Sequence, residues 1–268
     1  MTNLLFLHYI TPSSIALSIG GLTIYWYGFT LALAIIFALL VFLYLGNKND
    51  LRVDDILDLA TWLIIGGIIG ARLYDVILEL PYYLTRPLDI FKIWQGGLAI
   101  HGGIIGGLIV TLIYTRSKKI NFWKITSVLV PGLAIGQAIG RFGNWFNQEL
   151  FGRPTDLPWG IPIDLFKRPL GYENYNYFHP TFLYESSLML VVSCWLFILV
   201  KNKKVNDKII LASYLIGYGL IRFVLEFIKI DTTPIIFNLR WPQLISLIMI
   251  MLGCYIVYSA NKNKKAVI

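Results

Sequence analysis

Residues 125–152 read ITSVLVPGLAIGQAIGRFGNWFNQELFG. The first part, to Gly140, is built from apolar residues, glycine and small polar residues, and about 20 residues of that kind let a helix cross a bilayer. The last thirteen, Gly140–Gly152, place Arg141, Asn144, Asn147 and Glu149 at the end of that run. Charged side chains within a membrane are costly and therefore mark working sites. The stretch thus indicates a membrane-crossing helix with a polar site at one of its ends.

Working outward, the whole chain has the same character. Hydrophobic residues make up 57% and charged residues 14%, far from the balance of a soluble domain. Seven apolar runs approach the spanning length: about Leu22–Leu45, Ile56–Glu79, Leu98–Thr115, Ile125–Trp145, Thr181–Val200, Ile209–Ile228 and Gln243–Ala260. An all-α polytopic membrane protein is expected. It is divided into an interfacial N-terminal segment (1–21), spans one to four (22–145), a head loop (146–180), spans five to seven (181–260) and a tail (261–268). No charged residue precedes Lys48, so no basic region of a signal peptide is present. The net charge of +8 is split over short loops: those after spans one, three and five, with the tail, hold thirteen of the 23 Lys and Arg residues. The positive-inside rule then places the N-terminus outside and the tail in the cytoplasm. No continuous basic face suggests a nucleic-acid partner.

Arg72, Arg141 and Arg222 fall within or at the end of spans, and with His101 and Tyr27 they share one expected depth on five helices. For single residues a structural ion pair competes with that reading, Arg72 with Asp75 or Arg222 with Glu226. Gly66/Gly70, Gly102/Gly106, Gly103/Gly107 and Gly132/Gly136/Gly140 have the small-xxx-small spacing of close helix contacts. Gly102 and Gly103, next to His101, are also read as a place where a lipid headgroup nears the backbone. Cys194 and Cys254 read as inert mid-span residues, and His8, His101 and His179 lack zinc spacing. Two or three arginines, a histidine and amides remain, a set suited to a phosphate-bearing lipid because guanidinium forks bind phosphate oxygens in pairs.

The Gly140–Gly152 segment resembles the signature of the bacterial prolipoprotein diacylglyceryl transferases, Gly-Arg-x-Gly-Asn-x-x-Asn-x-Glu-x-x-Gly. Trp26-Tyr27-Gly28, His101-Gly102-Gly103, the block from His179 to Glu185, and Gly217 to Arg222 with Glu226-Phe227 agree with it in order. Arg240-Trp241-Pro242-Gln243 departs from the family, which usually has a small residue before the glutamine, and leaves the start of span seven open.

The resemblance implies seven membrane helices, a small extracytoplasmic head placed at Phe151–His179, and residence in the bacterial cytoplasmic membrane. It implies transfer of the diacylglyceryl group of phosphatidylglycerol to the lipobox cysteine of a preprolipoprotein, whose signal peptide is the partner. The products are a thioether and glycerol phosphate, and no metal or cofactor is implied. On these residues His101, Arg141 and Arg222 are the catalytic candidates. Arg141, Asn144, Asn147, Glu149, Gly152, Tyr27, Tyr218 and Glu226 are the candidates for binding phosphatidylglycerol, Glu226 by bracing Arg222. His101 is either the base for the acceptor thiol or a ligand of the headgroup. A transporter for anionic solutes also accommodates intramembrane arginines, but seven spans do not divide into two equal repeats. A membrane scaffold would explain the tyrosine-rich outer loop and leave the arginines unexplained.

Overall fold

The computed structural model describes residues 5–265. The chain forms two compact units, one of Met1–Phe42 with Ser127–Ile268 and one of Leu43–Thr126. In chain order the elements begin with α1 (Leu5–His8), a hairpin of β1 (Ile15–Ile19) and β2 (Leu22–Tyr25), α2 (Trp26–Lys48), α3 (Val53–Leu78), α4 (Leu80–Thr85) and α5 (Ile100–Ser117). They continue with α6 (Phe122–Asn147), the pair β3 (Ile161–Pro162) and β4 (Tyr177–Phe178), α7 (Thr181–Lys201) and α8 (Asp207–Leu225). A last hairpin, β5 (Ile235–Ile236) and β6 (Leu239–Arg240), leads into α9 (Trp241–Lys265). The described residues are mostly helical, with three short antiparallel pairs among them that the all-α reading did not contain.

Among the described residues six helices are long and apolar enough to cross a membrane: α2, α3, α6, α7, α8 and α9. The expected third span is the 18-residue α5, which is not among the six and carries His101 and Arg116 near its two ends. The first helix starts at Trp26 and not at Leu22, because Leu22–Tyr25 pairs with Ile15–Ile19. Gly20 and Gly21 make that turn with φ of 56° and 85°, backbone conformations that glycine adopts at no steric cost.

In the unit of Leu43–Thr126 the glycines set how closely α3 and α5 approach. A Cβ at Gly106 would strike the Gly66 carbonyl, and one at Gly70 would come within 3.0 Å of the Gly106 Cα. Gly102 is buried in the same contact, against Gly70 and Tyr74. It therefore serves helix packing, and the reading of Gly102 as an approach point for a headgroup is corrected.

In the larger unit a Cβ at Gly132 would lie 2.6 Å from the Ala38 carbonyl, so α2 and α6 touch by backbone. Pro131 interrupts the hydrogen bonding of α6. The Ser193 hydroxyl of α7 donates to the Pro131 carbonyl at 2.8 Å, and Ser186 donates to Ala138 at 2.7 Å. Helices α8 and α9 meet at Gly219 and Gly253, where added Cβ atoms would lie 3.0 Å from the carbonyls of Ser246 and Ala212. The start of α9 is clear: Pro242 occupies the first turn, where no backbone donor is needed, and Gln243 Oε1 accepts the Arg240 amide at 3.0 Å.

Residues 151–179 fold around Phe151, Ile161, Ile163 and Phe178, which join Phe182 of α7 in a buried cluster. The N-terminal segment docks there. His8 stacks on Tyr177 at 3.9 Å and its Nδ1 lies 3.0 Å from the Gly160 carbonyl.

Candidate active site

The larger unit gathers four cations from three regions around two carboxylates. Glu185, in the second turn of α7, is 1% exposed, and Glu226, at the C-terminal end of α8, is 0% exposed. Arg141 Nη2 lies 2.5 Å from Glu185 Oε1. Glu185 Oε2 is 3.5 Å from Arg222 Nη1 and 3.4 Å from Lys229 Nζ. Glu226 Oε2 is 3.2 Å from Arg222 Nη2, one turn away on the same helix face. Its Oε1 is 2.9 Å from Arg240 Nε. Lys229 donates a hydrogen bond to Glu185, whereas the contacts of Arg222 are of charge more than aligned hydrogen bonds: its Nη1 is buried without a hydrogen-bond acceptor in good geometry. Burial pushes the Lys229 ammonium down to about 8, with Glu185 opposing the shift.

A polar arm continues from Arg141 into the signature. Arg141 Nη1 donates to Asn144 Oδ1 at 3.1 Å, and Asn144 Nδ2 donates to Glu149 Oε1 at 2.8 Å. Asn147 Nδ2 reaches the same oxygen at 3.4 Å. Glu149 is held out by a tight turn in which Gln148 and Leu150 have φ of 53° and 56°, and the Glu149 amide donates back to the Asn144 carbonyl at 3.0 Å. Tyr218 interacts electrostatically with Arg141, and the ring of Tyr27 lies against Gly143, where a Cβ would be only 2.7 Å from it.

Gly152 stands apart from this arm as a packing point. Its amide donates to the His179 carbonyl at 2.9 Å, and its backbone bridges to Lys229. A Cβ there would lie 2.8 Å from His179 Cβ and 3.0 Å from the Ile228 carbonyl. His101 belongs to the other unit, on the first turn of α5, with its ring 6.0 Å from that of Tyr74. Arg72, in the same unit, is committed to the scaffold: it donates to the carbonyls of Ile90, Gly96 and Gly97 at 2.7–2.8 Å and to that of Asp89.

The geometry adds residues that sequence reasoning missed. Glu185 closes the His179–Glu185 block and has no role assigned from the sequence, although it is the only charged residue of Thr181–Val200. Lys229 reads as a loop cation just past span six, and the structure places it beyond the end of α8 at Leu225, with its backbone bridged to Gly152 and its side chain buried. Gln148 is buried and ties the signature to the rest of its unit. Its Nε2 donates to Pro12 O at 2.9 Å and to Asp164 Oδ2 at 2.7 Å, and its Oε1 accepts the Asp164 amide.

Comparison with known proteins gives the arrangement its context. The family described as prolipoprotein diacylglyceryl transferase matches residues 14–259. The chain belongs to that family. A phosphatidylglycerol–prolipoprotein diacylglyceryl transferase of Synechococcus elongatus is 42% identical over 94% of this chain and 89% of its own length. The Synechocystis protein of the same name is 42% identical over 91% and 87%, and that of Gloeobacter violaceus 36% over 95% of both. The matched residues 14–259 include parts of both units of the fold.

Proposed function

We propose that the chain transfers the diacylglyceryl group of phosphatidylglycerol to the lipobox cysteine of a preprolipoprotein, the first step of bacterial lipoprotein maturation. Family membership and relatives named for this reaction over nine-tenths of the chain support it. The observation that carries the residue assignment is the meeting of Arg141 and Arg222 on the one carboxylate of Glu185. In the reaction the thiolate sulfur attacks the phosphate-bearing carbon of the diacylated glycerol, not that of the headgroup. The carbon–sulfur bond forms as the carbon–oxygen bond breaks, the electron pair leaves on oxygen, and glycerol phosphate departs.

Negative charge grows on the phosphate during that step, and two guanidinium forks fixed in a water-poor site stabilise it. Losing one such donor costs on the order of 10²–10³-fold in rate. Asn144, Asn147 and Glu149 hold the hydroxyls of the glycerol headgroup. Tyr27 and Tyr218 orient Arg141, Glu226 braces Arg222, and Gly152 keeps the loop around Lys229 against the end of the signature. The acceptor thiol, with an ordinary pKa near 8.5, reacts as thiolate. His101 either takes its proton or binds the headgroup. His101→Gln separates the two: a base role removes the wild-type pH dependence of kcat, whereas a binding role raises KM and leaves that profile intact.

The topology we propose with this function has seven spans, α5 being the third. Its 18 residues lie within the range of about 17–25 that crosses hydrocarbon, with His101 and Arg116 at the ends. The N-terminus and a head of residues 151–179 are extracytoplasmic, the tail is cytoplasmic, and the protein resides in the cytoplasmic membrane. The test of the reaction is mass spectrometry of a lipobox peptide incubated with the protein in phosphatidylglycerol vesicles. A gain of one diacylglyceryl unit on cysteine is expected. An unmodified peptide together with anion uptake into the vesicles would turn the assignment toward transport.

A further inference from the structure

Two arginines facing two glutamates would form a neutral cluster with little hold on an anion. The cluster is larger than that. Arg240 and Asp231 form an added pair: their side chains meet at 3.3 Å, and the remaining Arg240 donors go to the carbonyls of Lys229 and Asp231, both at 2.5 Å. Arg240 is thereby offset. Lys229 has no such private partner. It is 3% exposed, and the oxygen it faces, Glu185 Oε2, is the one Arg222 also faces. Its backbone is fixed by the bridge to Gly152 and by the Arg153 amide donating to Ile228 O at 2.8 Å, so the ammonium is held in the interior.

We propose that Lys229 is a positioning residue for lipid binding: by occupying half of the Glu185 carboxylate it leaves Arg141 and Arg222 with the net positive charge that captures the phosphodiester. This rests on the function proposed above and assigns the source of its anion affinity. A buried ammonium is costly to desolvate, and here the cost is offset by a partner it shares with the site. The charged groups facing Lys229 are Glu185 from α7, Arg141 from α6, Arg222 and Glu226 from α8, and Arg240 and Asp231 from the segment that follows. The arginines stay charged throughout the neutral and alkaline range. The Lys229 ammonium, brought down to about 8 by burial, is charged below that pH and neutral above it. The positive excess is therefore present at neutral pH and is lost as pH rises.

The experiment uses the full-length protein in vesicles with saturating lipobox peptide, and measures KM for phosphatidylglycerol separately from kcat between pH 6.5 and 9.5. Ionisation of the acceptor thiol enters kcat and not the lipid KM. For the wild type, KM is expected to rise about tenfold between pH 7 and pH 9. Lys229→Arg, which stays charged, keeps the low KM to pH 9. Lys229→Met has the high KM at every pH, with its kcat retained. A Lys229→Met protein with wild-type KM at pH 7, or a Lys229→Arg protein that keeps the alkaline rise, overturns the proposal. Should Lys229→Met fail to fold, wild type against Lys229→Arg decides alone. A wild-type protein that makes no thioether product at any pH overturns the reaction and this proposal with it. An active wild type whose KM ignores both substitutions overturns this proposal alone.

Discussion

Arg72 in one unit and the pair Arg141 and Arg222 in the other are all arginines within long apolar helices, and they are held in different ways. Arg72 directs its guanidinium to four backbone carbonyls, with Asp75 at 3.8 Å as a weaker partner. Arg141 and Arg222 instead face carboxylates, and Arg222 Nη1 lacks an aligned acceptor. A carbonyl cage cannot release its guanidinium without opening the loop that forms it. A carboxylate competes with phosphate on equal chemical terms, so an arriving phosphodiester can share the arginines without unfolding anything. An intramembrane arginine is therefore read by its acceptors: carbonyls make it a strut, carboxylates make it available to an anion.

Five substitutions would break or sharpen that contrast. Arg141→Ala or Arg222→Ala should lower thioether formation by at least about 10²–10³-fold while the protein stays in the membrane, read by peptide mass spectrometry. Near-normal product from either would end the distinction. Arg72→Ala should cost about 3–5 kcal/mol of stability, measured by unfolding in detergent, and the folded fraction should keep its kcat. A Arg72→Ala protein of unchanged stability and much reduced kcat would place Arg72 with the other two. Gly152→Ala should destabilise by about 1–3 kcal/mol through overpacking against His179 and Ile228, more than it alters the lipid KM. Asp54→Asn removes an ion pair to Arg52 in which both side chains are at least three-quarters exposed, and its effect should stay within about 0.5 kcal/mol.

The helices were legible because hydrocarbon thickness imposes run length, and apolar residues in runs of that size have few other uses. The start of α2 was not, because Leu22–Tyr25 is apolar as strand or as helix, and the Gly20-Gly21 turn was the overlooked signal. At the candidate site, the resemblance to the signature singled out Arg141, Asn144 and Glu149, and helical periodicity paired Arg222 with Glu226. Glu185 and Lys229 depend on contacts across 44 residues, and no local pattern pairs them. Lys229 was also disguised by its type, since a lysine just past a span reads as a topology signal until burial is seen. Gly102 carries two readings in the sequence, close helix packing by its spacing and headgroup approach by its neighbour His101, and the contact with Gly70 decides for packing.

The central claim is that two guanidinium groups from α6 and α8 hold one lipid phosphate together. Solid-state NMR dephasing between the phosphorus of phosphatidylglycerol and guanidinium nitrogens of ¹⁵N-arginine protein measures this directly. The account predicts coupling at hydrogen-bonding range from two arginines, reduced to one in Arg141→Ala and likewise in Arg222→Ala. Coupling left unchanged by both substitutions would contradict it.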